Sequence, residues 1–267
     1  MQADTRPDDA RRQQPAIQDR YRGEERQNLD QEHQIRPALR DGNAAGQNEA
    51  ESAADAPLAF KGLGGESCIV ERALKIDREI SVLVARSPSG QVAVYPPAEN
   101  HHESRILAWS VLPARISPAL ARRAEELARG VAEALAIEGL LCVEIFEIDG
   151  ELLINELAPR PHNSYHASVV GAATSQFEQH VRAVCDLPLG STAVVRPAAI
   201  ANLLGDIWTP ATPPFERALE LPGVRLHLYG KAGARPGRKM GHLSATADTP
   251  DAAVALVREA KARLAQA

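Results

Sequence analysis

The stretch Val143 to Ser164, VEIFEIDGELLINELAPRPHNS, gathers the residue types that handle phosphate and divalent cations. Glu144 precedes the pair Asp149-Gly150, and Asn155 and Glu156 follow it. An Asp-Gly pair between apolar runs is a hairpin turn, and counting outward from it brings Glu144 almost opposite Asn155 or Glu156. Cross-strand neighbours lie close enough for two carboxylates to share a cation. Such hard oxygen donors suit Mg²⁺, which keeps phosphate oxygens and water in its shell rather than taking an all-protein cage. Read alone, the same glutamates suit the solvent face of a two-sided strand. The segment that follows favours chemistry: Pro159-Arg160-Pro161-His162-Asn163-Ser164 joins a guanidinium, an imidazole, an amide and a hydroxyl in a proline-stiffened loop, fit for an anionic, hydrogen-bonding ligand. A second basic turn, RPGRKMGH from Arg235 to His242, offers Arg238 and Lys239 as a phosphate grip, although turns of this kind are also commonly solvated.

These residues need a rigid frame. Glu79 to Arg86 and Gln91 to Tyr95, joined by Ser87-Pro88-Ser89-Gly90, form a hairpin, and Leu141 to Ile148 with Glu151 to Glu156 form another. Alternation puts Glu144 and Phe146 on one face and Val143 and Ile145 on the other. Helices are expected over Ser117 to Ile137, Thr174 to Val184 and Pro250 to Leu264; the second is capped by Thr174 or Ser175, with Glu178 placed as in a capping box. Short strands over Ala193 to Leu203, Val224 to Tyr229 and Gly241 to Ala247 complete the pattern. The expected fold is α/β (α+β), an antiparallel sheet with helices on one face. Residues 57–190 form its main domain and residues 191–267 a small β-rich one. Residues 1–56, rich in Gln, Asp, Glu, Arg and Asn, carry neither apolar period and read as a polar, disordered segment, native or produced by a truncated or shifted frame.

Composition narrows the partners. The net charge of -5 comes from interspersed charges, and aromatics make up only 4% of the chain, which argues against nucleic acid. Three scattered cysteines, Cys68, Cys142 and Cys185, indicate neither a disulfide framework nor a zinc ribbon. No apolar run is long enough for a membrane span and no signal peptide is recognisable, so a cytoplasmic location is expected.

The ordered phrases NELAPRPHNS, TSQFEQHVRAV, LPLG and GRKMGH, within about Leu63 to His242, resemble the N5-carboxyaminoimidazole ribonucleotide synthase family of ATP-grasp ligases. The resemblance implies a partial ATP-grasp domain, ATP and Mg²⁺ as cofactors, and aminoimidazole ribonucleotide and bicarbonate as substrates, in a chain that works as a homodimer. It implies that Glu71, Arg72, Ala73 and Leu74 contact adenine, that Glu79 holds the ribose hydroxyls, and that His102 belongs to the nucleotide site. Asn155 and Glu156 would meet phosphates and metal, with Glu144 as the other metal carboxylate. Arg160 would act in catalysis, and His162, Asn163, Ser164, Arg238 and Lys239 would face the ribonucleotide or the bicarbonate-derived intermediate. The family's N-terminal domain and first lobe are not recognisable, and Arg40 to Gln47 resembles its glycine-rich flap with two extra residues. Tyr165 stands where the family usually has glycine, which would set a large side chain in the substrate loop, and His101 and Arg105 also depart from its pattern. Two other readings follow from the same residues: a catalytically incomplete nucleotide-binding remnant, or the related formate-using transformylase, from which Asn163-Ser164 and GRKMGH lean away.

Overall fold

Residues that alternate between two buried faces need cover on both sides, and the chain supplies it with helices of different lengths. The computed structural model describes residues 33–37, 48–50, 52, 54–62, 64, 68–72, 74–209 and 211–264. The chain divides into two compact units, Met1–Lys75 and Ile76–Ala267. In the first, β1 (His33–Pro37) pairs antiparallel with β2 (Asn48–Ala50) and with β3 (Cys68–Arg72), and α1 (Ala56–Gly62) packs Ala59 with Ala50. The expectation of a disordered 1–56 segment falls largely outside the described residues, but two strands, β1 and β2, are described within it. The flap-like Arg40 to Gln47 also lies outside them.

The second unit is built on β4 (Arg78–Arg86), β5 (Val92–Val94), β6 (Ala98–Glu103), β7 (Ile106–Leu112), β8 (Gly139–Ile148), β9 (Glu151–Ala158), β10 (Ala198–Leu204), β11 (Arg225–Leu228) and β12 (Lys239–Thr246). Among the described residues these make one sheet in the order β11-β12-β10-β7-β6-β4-β8-β9, with β5 paired to β4, and every pairing is antiparallel. Both expected hairpins form. Asp149 and Gly150 take φ of 51° and 78°, the left-handed pair that a two-residue turn between twisted strands requires.

Helix α2 (Pro118–Ala134) begins where Ser117 Oγ accepts the amide of Leu120, with Pro118 in the first turn. Its Ala124, Ala128 and Ala132, spaced four apart, pack against Ile80, Val82, Val84, Leu141, Val143 and Ile145. The C-terminal helix α6 (Pro250–Leu264) covers Val111, Ala199, Ala201, Leu243 and Ala245 with Ala253, Val254, Val257 and Ala260. Cross-strand pairing links Ile80, Glu99, Val111, Ala199 and Ala245 in one row, so the two long helices share a face, as expected of the sheet. The opposite face is covered too, by a 3-10 turn (Asn163–Tyr165), α3 (Ser168–Gly171) and α4 (Gln176–Val184), where Tyr165, Ala167 and Ala183 pack against Leu83, Ala85, Leu140, Cys142 and Ile200. Ser175 Oγ accepts the amide of Glu178, so the N-cap is Ser175. Each large side chain buried this way contributes about 1.5–3 kcal/mol. The strands read from sequence as a C-terminal unit continue this same sheet, β10 pairing with β7 from Ala198 opposite Leu112 to Ala201 opposite Trp109. A 3-10 turn (Gly205–Trp208) and α5 (Phe215–Leu219) connect β10 to β11.

Candidate functional site

The sheet face under α3 and α4 carries polar residues at one end, and two register shifts aim them. Glu144 lies directly opposite Glu156, but the next pair is Ile145 with Ile154, which leaves Asn155 as an extra residue in β9. A bulge of this kind breaks strict alternation. Ile154 shares the face of Ile145 and Glu156 that of Glu144, so Asn155 and Glu156 both join Glu144. On β12, Leu203 pairs with Gly241 and Leu204 with Lys239, so the extra Met240 brings Lys239 to the same face. Opposite β6 the extra residue is Ala108 of β7, so His101 stands opposite Trp109 and His102 opposite Leu107, the two histidines taking opposite faces by ordinary alternation.

The carboxylate Glu144 is the hub. Its Oε1 lies 2.9 Å from His162 Nε2. Burial works to raise the Glu144 pKa, but the His162 hydrogen bond and charge, with His102 and Lys239 behind it, hold it below the ordinary value. Burial opposes the charge on His162, yet the Cys142 sulfur and the Glu144 carboxylate outweigh it and raise its pKa to about 10. Lys239 is lowered by burial first, with Glu144 and Glu156 pulling upward and Arg160 and Lys231 pushing down. Two carboxylates, an imidazole and several cations therefore share one electrostatic neighbourhood.

The remaining sequence-derived residues divide. Glu79 Oε2 sits 2.5 Å from His102 Nδ1, and both line a cavity of about 390 Å³ with Asn100, Arg78, Glu99, His101, Trp109 and Arg115. Among the described residues, neither polar atom of the Asn163 side-chain amide has a protein partner although both are buried, a state that a ligand or ordered water relieves. Ser164 is fully buried and bonded to its neighbours. Arg160 is exposed, its Nη1 donating to the Pro161 carbonyl. Arg238 instead turns to its own loop, its Nη1 donating to the carbonyls of Ala232 and Gly233. Glu71 and Arg72 belong to β3 in the other unit, Leu74 is half-buried there, and Ala73 lies outside the described residues.

Tyr165 corrects an expectation. It does not project into the substrate loop: it is 0% exposed, with its hydroxyl 2.9 Å from the carbonyls of both Ser81 and Pro96 and its ring edge-on to Tyr95. The 3-10 turn rotates it inward, where the core supplies both an apolar wall and acceptors for its hydroxyl.

Sequence reasoning missed the groups that hold this face together. Gln176 is fully buried; its Oε1 accepts the His162 amide, and its Nε2 donates to the His162 carbonyl and faces His166 Nδ1 at 2.8 Å. His166, His242 and His227 stack in a column, with ring centroids 4.8 Å and 4.5 Å apart, and Tyr229 Oη lies 2.8 Å from His242 Nδ1. Burial above all lowers His166 to about 4 and His242 to about 3, so both are neutral. A polar residue on the buried side of EISVLVAR was the available signal for Ser81; Gln176 and the histidine column depend on contacts across the fold.

Comparison with known proteins bears on this geometry. A model of the ATP-grasp domain matches residues 23–177. The chain belongs to the ATP-grasp family. The match begins well ahead of Leu63, so the likeness extends further toward the N-terminus than the phrases read from sequence. A second model, the phosphoribosylaminoimidazole carboxylase C-terminal domain, matches residues 198–255. The N5-carboxyaminoimidazole ribonucleotide synthase of Vibrio cholerae is 48% identical over 183 residues, 68% of this chain and 46% of that protein. That of Bacillus subtilis is 45% identical over 179 residues, 67% of this chain and 46% of the relative. The chain thus spans about half the length of the curated relatives it matches. The crystal structure of the Thermus thermophilus synthetase is 42% identical with a TM-score of 0.75, covering 88% of this chain and 61% of that one. The Aspergillus clavatus synthase in complex with ADP and aminoimidazole ribonucleotide is 30% identical with a TM-score of 0.77, covering 88% and 62%. Among the described residues, no helix is long and apolar enough to cross a membrane.

Proposed function

We propose that this chain carries the nucleotide-metal half of an ATP-dependent ligase that carboxylates 5-aminoimidazole ribonucleotide with bicarbonate to N5-carboxyaminoimidazole ribonucleotide, a step of purine (IMP) biosynthesis. The observation that carries the reading is the convergence of Glu144, Asn155 and Glu156 on one sheet face beside Lys239, produced by two bulges. The relatives' names and the ADP and ribonucleotide in the Aspergillus clavatus complex support the choice of substrates.

The donor set fits Mg²⁺. Glu144 and Glu156 oppose each other with hard oxygens and Asn155 adds a carbonyl, a set that would leave the rest of the shell to phosphate and water. Bound there, Mg²⁺ would neutralise charge on the transferring phosphoryl group. Glu79 and His102 would hold the ribose end of ATP. Lys239 and Arg160 would carry phosphate or carboxylate charge, and Asn163, whose buried amide lacks a protein partner, would take a hydrogen bond from the ligand or give one. Transfer of the ATP γ-phosphoryl to bicarbonate gives carboxyphosphate and ADP. The exocyclic amine of the ribonucleotide then attacks the carboxyl carbon, directly or as released CO₂, and phosphate departs. Electrostatic stabilisation by fixed cations does most of this work.

Calorimetric titration with a non-hydrolysable ATP analogue, with and without Mg²⁺, tests the reading. Binding strengthened by Mg²⁺ and weakened at least tenfold by Glu156→Ala is expected. Binding indifferent to both Mg²⁺ and Glu156→Ala would contradict it.

A further inference from the structure

His162 is held on three sides, and one of them is a buried hydroxyl chain that crosses the sheet. Asn100 Nδ2 donates to Ser81 Oγ at 3.0 Å, Ser81 Oγ donates to Ser164 Oγ at 2.8 Å, and Ser164 Oγ lies 2.8 Å from His162 Nδ1. Ser81 and Ser164 are 0% exposed and Asn100 is 8%. Ser81 is also the direct cross-strand neighbour of Glu144, so the chain closes on the carboxylate that His162 contacts. A hydroxyl in an otherwise apolar strand interior costs free energy unless it is bonded, and an alanine there would fill the position without that requirement.

We propose that Ser81, fixed by Asn100 and acting through Ser164, is a positioning residue that holds the His162 ring with Nε2 on Glu144 and so leaves the second Glu144 oxygen free for the cation. This rests on the reading of Glu144 as a metal carboxylate. The direction of the chain follows from its ends. The Asn100 Nδ2 group can only donate, so the Ser81 proton is sent on to Ser164. Ser164 then meets Nδ1 of His162 whether that nitrogen gives or accepts the proton, because a hydroxyl does both and Cys142 Sγ, 3.9 Å away, can take the Ser164 proton in the first case. In either state the ring is pinned at Nδ1, and Nε2 is the nitrogen left to face Glu144. Groups that orient a metal's ligands from behind commonly change metal affinity by ten- to a hundredfold when removed.

The test compares Ser81→Ala, Ser81→Thr and Asn100→Ala in the full chain. In ¹⁵N-labelled protein the His162 Nε2–H resonance, assigned by its loss in His162→Gln, is expected to exchange slowly in the parent and in Ser81→Thr, which keeps the hydroxyl, and to be lost in Ser81→Ala. Calorimetry with the ATP analogue should show Kd in the presence of Mg²⁺ rising about tenfold in Ser81→Ala, recovering in Ser81→Thr, and staying within twofold of the parent without Mg²⁺. Asn100→Ala, which also alters the Glu79–His102 cavity, is judged by the resonance alone, which should be lost in part, and serves if Ser81→Ala fails to fold. An unchanged resonance in folded Ser81→Ala overturns the proposal, as does an equal loss of binding with and without the cation. A parent that shows no Mg²⁺-dependent binding refutes the functional reading instead, and the resonance still decides the positioning.

Discussion

Replacing Tyr165 with glycine should unfold the protein more readily rather than open its site. The tyrosine is fully buried among Leu83, Tyr95, Ala98, Leu112 and Ile200, and its hydroxyl is satisfied by two backbone carbonyls. Removing a large aromatic side chain from a packed core costs about 3–5 kcal/mol. Glycine adds about 0.5–1 kcal/mol through the greater freedom of the unfolded chain. The two carbonyls that lose their donor fall within a new cavity that water can enter, which offsets part of their penalty. Tyr165→Gly should therefore destabilise by about 3.5–6 kcal/mol, a large share of the 5–15 kcal/mol that holds a domain folded. Tyr165→Phe, which keeps the ring and loses only the hydrogen bond, should cost about 1 kcal/mol. Urea unfolding followed by tryptophan fluorescence gives both values, and calorimetry with the ATP analogue on the folded fraction gives ligand affinity. A Tyr165→Gly protein as stable as the parent to within 1 kcal/mol, or one that binds ligand more tightly, would refute the inward placement of this side chain.

Acid should weaken the fold through the histidine column. His166 and His242 are lowered, chiefly by burial, to about 4 and about 3, while the unfolded chain takes up these protons near 6.5. Their contribution is thus present above about pH 6.5 and is lost as pH falls toward about 4 for His166 and about 3 for His242. Each costs roughly 2 kcal/mol between pH 7 and 5, and His166→Asn should flatten the pH dependence of the urea midpoint. Gly241→Ala should push β11 from β12, because an added methyl would collide with the His227 carbonyl oxygen and crowd Leu228 Cδ2 at 3.2 Å. A loss of about 1–3 kcal/mol is expected, with faster hydrogen exchange confined to the β11 amides.

Local chemistry made much of this architecture readable from the chain. Asp149-Gly150 announced its hairpin, Ser175 its helix, and the alternation of EISVLVAR its two-sided strand, because turns, caps and pleats are written in neighbouring residues. Counting outward from the turn puts Glu144 opposite Asn155, one residue short of its actual partner Glu156. The bulges cannot be reached by counting. Strict alternation sends Asn155 and Glu156 to opposite faces, and only the loss of register between Glu144 and Ile145 reunites them. Lys239 depends in the same way on Met240 standing out of register in β12. Tyr165 was legible as a residue out of place in its loop but not as a core residue, since its direction is set by a single 3-10 turn and by carbonyls on strands far away in sequence. Ser81, Asn100 and Gln176 escaped because a buried hydrogen bond is a property of two distant segments and leaves little trace in either.

The central claim, that Glu144, Asn155 and Glu156 form the metal face of a carboxylating ligase, is tested most directly by ADP release. Purified protein is incubated with ATP, Mg²⁺ and bicarbonate, with and without aminoimidazole ribonucleotide, beside Glu156→Ala. ADP release that depends on the ribonucleotide and falls at least a hundredfold in Glu156→Ala is the predicted result. No ribonucleotide-dependent release, or a rate that Glu156→Ala leaves unchanged, would contradict it.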